Sequence, residues 1–144
     1  DPLARYFLWE HCLDYNHGTG HGVGVFSNVH QGPQGISRLN TVPLNPGMIL
    51  SVEPGVYLEG KLGIRLENLV YVKKKSGNSR QKREFLEFET LTLVPFEKKL
   101  IEKDLLSRDE LHWLNSYHDN VYNKLSPFLN VSEKTWLRDA CKIL

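Results

Sequence analysis

Glycine stands at positions 18, 20, 22 and 24, alternating with His17, Thr19, His21, Val23 and Val25. A helix would set His17 and His21 one turn apart on a common face, but each interior glycine weakens a helix by about 1 kcal/mol relative to alanine. An extended chain fits better. With a period of two, His17, Thr19, His21, Val23 and Val25 share one face and the glycines the other, so another backbone or a ligand can come close on the glycine side. The imidazoles would then be presented from a stiff element, and His30 follows at the end of the same segment.

Two apolar stretches downstream, Met48 to Tyr57 and Leu62 to Val72, read as β-strands, and each carries one glutamate, Glu53 and Glu67. An unpaired carboxylate among aliphatic side chains is expensive. A divalent cation would remove that cost by favouring the ionised form. Arg65, two residues before Glu67 and so on its face, is a second candidate partner. A set of one histidine and two glutamates suits manganese, iron, cobalt or zinc in a reactive site better than a structural zinc, and no sulfur takes part.

Each of these residues also has a plainer reading. A lone histidine among glycines is most often a satisfied polar side chain, and a lone strand glutamate usually faces solvent or an arginine. The residues by themselves leave both readings open.

The segments HGTGHGVG, VHQGP, LNPGMILSVEPGVY and GIRLENLVYV resemble the C-terminal half of the catalytic domain of Xaa-Pro aminopeptidases, metallopeptidases with the pita-bread fold. The similarity extends to Leu3 through Tyr15, to FETLTLVPF around Leu91 and to LNSYH around Tyr117, and it favours the long, three-domain type over prolidase or methionine aminopeptidase. It implies an α+β fold, a curved and mostly antiparallel sheet with flanking helices. It also implies a catalytic part over 1–95 and a helical tail over 96–144 packed on it.

The resemblance also implies roles. His21, Glu53 and Glu67 would be metal ligands, with Glu53 also acting on the attacking water and Glu67 bridging two metals. His30 would contact substrate and stabilise the tetrahedral intermediate. His17 would stand near the scissile bond, Arg65 would orient the carboxylates, and Tyr57 would line the site. The implied reaction releases the N-terminal residue from peptides with proline second, using two divalent metals, usually manganese. A prolyl bond has no amide hydrogen, so recognition would rest on ring shape and the carbonyl.

Two departures bear on this. The dinuclear site of such enzymes also draws on two aspartates and a histidine from the preceding half-domain, and Asp1 and Asp14 do not stand in that context. The chain is therefore expected to be a C-terminal fragment with an incomplete site and little activity of its own. Gln31 stands where glutamate is common, beside His30. Relatives of this fold that act as metal-free peptide- or protein-binding modules offer an alternative, but retention of His21, Glu53 and Glu67 favours a peptidase parent. The nearest enzymatic rival is a prolidase-like dipeptidase.

At 144 residues, 40% hydrophobic and with formal charge +1, the chain can bury one core and gives no case for nucleic acid. No apolar run approaches a membrane span. Cys12 and Cys141 lack metal-ligand spacing, and a cytoplasmic protein with reduced thiols is the expectation. A homodimer is expected from the resemblance and from the apolar surface a half-domain would expose. The basic run from Lys73 to Arg83 surrounds a Ser-Gly-Asn turn and reads as a solvated hairpin loop.

The expected order is helix, strands, helices. Pro2 to Leu13 fits a helix with Leu3, Phe7 and Leu8 or Trp9 inward. Residues 31–46, rich in proline and glycine, form a loop on the pocket rim. Strands are expected near 48–57, 62–73 and 85–95. Ser107 and Glu110 make a capping box for a helix to about Leu125, with Leu111, Leu114 and Val121 inward, and Ser132 would cap a last short helix. The aromatic stripe Trp113, Tyr117, Tyr122 and Trp136 reads as core.

Overall fold

The computed structural model describes residues 1–26, 28–76 and 84–144. Proline is favourable in the first turn of a helix, where its missing N–H would have no partner anyway, and α1 spans Pro2–Trp9. This helix is shorter than expected, and its inward residue is Arg5; Leu3, Phe7 and Trp9 are exposed and Leu8 is half-buried. Arg5 goes inside because its donors are satisfied there. Its Nε reaches both Asp1 oxygens, Nη1 reaches Asp14 and the Tyr15 carbonyl, and Nη2 donates to the His17 carbonyl at 2.7 Å.

The extended segment expected from His17 to Val25 contracts to β1 (Gly20–His21), which pairs antiparallel with β2 (Gly35–Ile36) in the middle of the proline- and glycine-rich loop. Beyond Gly24 the chain turns, and Val25 and Phe26 are exposed. Close approach on the glycine side is real: an added β-carbon at Gly20 would stand 1.9 Å from the Ser51 carbonyl oxygen, and one at Gly22 would stand 2.1 Å from that of Gln31. Gln31 itself donates its N–H to the Gly22 carbonyl at 2.9 Å.

The two long strands expected over 48–57 and 62–73 each break in the middle. They give β3 (Ile49–Val52), β4 (Gly55–Leu58), β5 (Leu62–Arg65) and β6 (Asn68–Lys74), and β7 (Leu86–Thr90) follows. The break comes at Pro54, which has no N–H to give to a ladder. Its carbonyl instead accepts from Leu66 at 3.1 Å. Three antiparallel ladders result: β1-β2, β3-β6-β7 and β4-β5. On one side of the break Val52 lies opposite Asn68 in the β3-β6 ladder, and on the other Gly55 lies opposite Arg65 in the β4-β5 ladder. Glu53 and Glu67 are thus the next residues out from the Val52–Asn68 pair, facing one another at the shared break.

Leu50, Val70 and Val72 form the buried cluster of residues 1–92, with Ile36, Leu44, Met48 and Val52 packed on it. Leu50 and Val70 are cross-strand partners, so their side chains share a face. Each contributes roughly 1.5–3 kcal/mol on burial. Lys73 pairs with Glu89 at 3.0 Å and Lys74 with Glu84 at 2.8 Å across the β6-β7 hairpin. The tip of the basic run, 77–83, lies outside the described residues.

Residues 93–144 form a second compact unit. Its α2 (Arg108–Leu125) opens on the expected capping box of Ser107 and Glu110 and buries Leu114, Tyr117, His118 and Val121. α3 (Val131–Ala140) is capped by Asn130, not Ser132: the Asn130 side chain accepts from the Glu133 N–H at 3.0 Å, and Ser132 donates to that same oxygen. Asn130 stands at the entry, in extended backbone, where an N-cap must be. Tyr117, Val121, Leu137 and Cys141 make the core, with Tyr122 packed against it. Trp113 and Trp136 are exposed, so the aromatic stripe is only partly core. Among the described residues no helix is long and apolar enough to cross a membrane, and Cys12 and Cys141 are free thiols.

Candidate metal centre

One ligand atom from each of His21, Glu53 and Glu67 lies within 4.8 Å of the other two. The fold brings them together from three places. His21 ends β1, Glu53 follows β3, and Glu67 precedes β6, so the strand break expels both glutamates from the ladders at the point where β1 runs beside β3. Glu53 is buried at 7% exposure, whereas Glu67 is exposed, not embedded among apolar neighbours as its sequence context implied.

The ring nitrogens of His21 have separate tasks. Nδ1 lies 3.0 Å from the Gly22 carbonyl, which can only accept, so this nitrogen carries the proton. In the neutral ring Nε2 is then a bare lone pair, and it stands 3.3 Å from Glu53 Oε1. Two acceptors facing at that distance want a proton or a metal ion between them. A carbonyl-anchored Nδ1–H with Nε2 turned towards carboxylates is how ligating histidines are oriented. The donor set fits a divalent ion that accepts nitrogen and oxygen ligands.

The remaining expected site residues gather around this group. The His30 and His21 rings have centroids 4.2 Å apart. His17 donates from Nδ1 to the Gly18 carbonyl at 2.8 Å, leaving Nε2 to accept from the Tyr57 hydroxyl at 2.9 Å. That hydroxyl in turn accepts from Arg65 Nε at 2.9 Å. Arg65 Nη1 lies 3.3 Å from Glu53 Oε2. The ion-pair partner of Arg65 is therefore Glu53; Glu67, the partner expected from spacing, contributes only its charge. The hydrogen bond to Tyr57 is the first cause holding the Arg65 pKa above its ordinary value, with the charges of Tyr57, Glu53 and Glu67 adding to it against desolvation.

Some residues of the site carried no signal in the sequence. Ser51, fully buried, accepts the His21 N–H at 2.9 Å, and Glu53 gives its own N–H to the Thr19 carbonyl at 2.7 Å. Arg5, stacked 3.8 Å over the Tyr15 ring, holds the His17 carbonyl. Only the two-residue spacing of Ser51 and Glu53 hinted at a shared face. Asp14, paired with Arg5 and Arg38, is held well below the usual carboxylate range, first by the hydrogen bond from Trp9 and next by Arg5 and the Tyr15 N–H, against desolvation.

The chain is similar to known proteins in both sequence and fold. The chain is 50% identical over 143 residues to a probable Xaa-Pro aminopeptidase P of Botryotinia fuckeliana, covering 95% of this chain and 22% of that protein. It is 45% identical over 150 residues to a probable Xaa-Pro aminopeptidase P of Laccaria bicolor, covering 100% of this chain and 23% of that protein. The crystal structure of the X-prolyl aminopeptidase from Caenorhabditis elegans, a cytosolic enzyme with a di-nuclear active site, superposes with a TM-score of 0.93 at 40% identity, over 100% of this chain and 24% of that one. The chain thus spans about a quarter of the length of the relatives it matches. The α+β architecture, antiparallel ladders with three helices, is the C-terminal part of the pita-bread fold that the resemblance implied. A model of the C-terminal region of this peptidase group matches residues 84–144. A model of metallopeptidase family M24 matches residues 1–74, and the chain belongs to that family.

Proposed function

We propose that this chain supplies the C-terminal part of the catalytic domain of a metal-dependent aminopeptidase that releases the N-terminal residue from peptides with proline second. The observation that carries the reading is the convergence of His21, Glu53 and Glu67 within 4.8 Å. In this reading residues up to 95 belong to the catalytic part and 96–144 form its tail. His21, Glu53 and Glu67 hold the metal, completed to a manganese pair by residues elsewhere in the whole protein. When bound, divalent metal lowers the pKa of water and stabilises charge on the scissile carbonyl oxygen.

The chain's own residues do the rest. Glu53, its Oε2 anchored by Arg65, takes the proton of the attacking water. His30, exposed beside His21, is free to meet the substrate and donate to the developing oxyanion. His17 and Tyr57 form a fixed hydrogen-bonded pair at the rim, suited to positioning the peptide. A cytosolic setting and a homodimer belong to the same proposal, the first supported by the cytosolic nematode relative.

The test is hydrolysis of a proline-second tripeptide by the whole protein with manganese, beside Glu53→Ala. Release of the first residue, lost in the variant, supports the reading. Cleavage of dipeptides alone turns it to a prolidase-like enzyme, and a folded protein with neither activity nor manganese binding turns it to a binding module.

A further inference from the structure

We infer that Ser51 is a positioning residue of the metal centre, aligning His21 and Glu53 through one buried hydroxyl. The inference rests on the metal reading above. Ser51 Oγ accepts the His21 backbone N–H at 2.9 Å, so its own hydrogen is free for the other neighbour, Glu53 Oε1 at 3.4 Å. Oε1 is the carboxylate oxygen that faces His21 Nε2 at 3.3 Å, while Oε2 faces Arg65. The hydroxyl therefore closes a ring: His21 main chain, Ser51, Glu53, His21 side chain.

A serine suits this position for two reasons. It is fully buried, so no water competes for the His21 N–H. It also sits where β1 lies closest to β3, since Gly20 allows the Ser51 carbonyl to approach to a distance no β-carbon tolerates. The 3.4 Å contact to Glu53 is long for a hydroxyl donor, and ligand hydrogen bonds of this kind shorten when the liganded geometry forms. Arg65 steadies one carboxylate oxygen by charge, and Ser51 holds the other by a single neutral donor that leaves that oxygen's second lone pair available to a metal.

The experiment is manganese titration by calorimetry on the whole protein, with tripeptide kinetics and thermal unfolding alongside, for Ser51→Ala, Ser51→Thr and Glu53→Ala. Ser51→Ala is expected to weaken manganese binding about 10- to 100-fold and to lower kcat with little change in KM, as loss of an outer hydrogen bond to a ligand does. Ser51→Thr, which keeps the hydroxyl, restores both. Wild-type manganese affinity in a folded Ser51→Ala overturns the inference, even if its melting temperature falls. Should Ser51→Ala not fold, Ser51→Cys, of similar shape but a weak donor, is read by the same criterion. Glu53→Ala separates the two levels. If it abolishes manganese binding while Ser51→Ala does not alter it, only the role of Ser51 fails; if it leaves binding intact, the metal reading itself fails.

Discussion

Gly20 and Ser51 are in backbone contact so close that a β-carbon on residue 20 would stand 1.9 Å from the Ser51 carbonyl oxygen. A main-chain oxygen in a ladder cannot swing away as a side-chain tip can. Gly20→Ala should therefore destabilise residues 1–92 by about 3 kcal/mol or more, at the upper end of overpacking costs, and separate His21 from Glu53. Gly60, at φ 68° with nothing within 4 Å, is the contrast. Gly60→Ala should cost about 1–2 kcal/mol through its left-handed backbone alone and leave manganese affinity unchanged. Urea unfolding and calorimetry distinguish the two.

The Tyr57 hydroxyl joins His17 to Arg65, with 2.9 Å on each side. Tyr57→Phe removes both contacts and keeps the ring. Because one of them involves a charged donor, kcat/KM for a proline-second tripeptide should fall about 10-fold or more in the whole protein. An unchanged value would place the pair outside the reaction.

His118 is wholly buried, accepts the Phe96 N–H on Nε2 at 3.1 Å, and has no partner for Nδ1 among the described residues. Burial first, and the Lys98 charge second, push its pKa below 6.5. The folded state thus resists the proton that the unfolded chain takes up. Its contribution to stability is complete above the unfolded pKa near 6.5 and is lost as pH falls through that value towards the depressed one. Thermal unfolding followed by tryptophan fluorescence should show a falling midpoint below about pH 6.5, and His118→Gln, which can still accept from Phe96, should flatten that slope.

Asn130, not Ser132, satisfies the first turn of α3. Asn130→Ala should cost about 1 kcal/mol. Ser132→Ala should stay within about 0.5 kcal/mol. Melting temperatures of the two variants decide between them.

Chelation gives a further check on the metal centre. If His21, Glu53 and Glu67 hold manganese in the native state only, adding the ion must raise the melting temperature of the whole protein in proportion to the logarithm of its concentration, and a chelator must reverse the rise. Glu53→Ala should show neither effect.

Local patterns in the chain were enough for the elements whose causes are local. The capping box of Ser107 and Glu110, the buried spacing of Leu114 and Val121 and the strand character around Leu50 and Val70 follow from neighbours within a turn or a pleat. His17, His21, His30, Glu53 and Glu67 also stand out locally, as uncommon polar residues in glycine-rich or apolar stretches, and Arg65 by its two-residue spacing from Glu67, whereas Tyr57 and the roles of all of them come only from the family resemblance. Tertiary structure decided what depends on distant partners. Pro54 marks one break locally, but that the second apolar stretch breaks opposite it follows from the Leu66 N–H bonding the Pro54 carbonyl. Arg5 displaces Leu3 and Phe7 as the inward residue of α1 because Asp14 and the His17 carbonyl, supplied by a later loop, satisfy it. Glu53, at the break it shares with Glu67, meets Arg65 only through the pairing of β4 with β5, and meets His21 only after β1 has settled against β3. Periodicity records which face a side chain takes, whereas the partners on that face come from pairings between segments, and no one segment carries them.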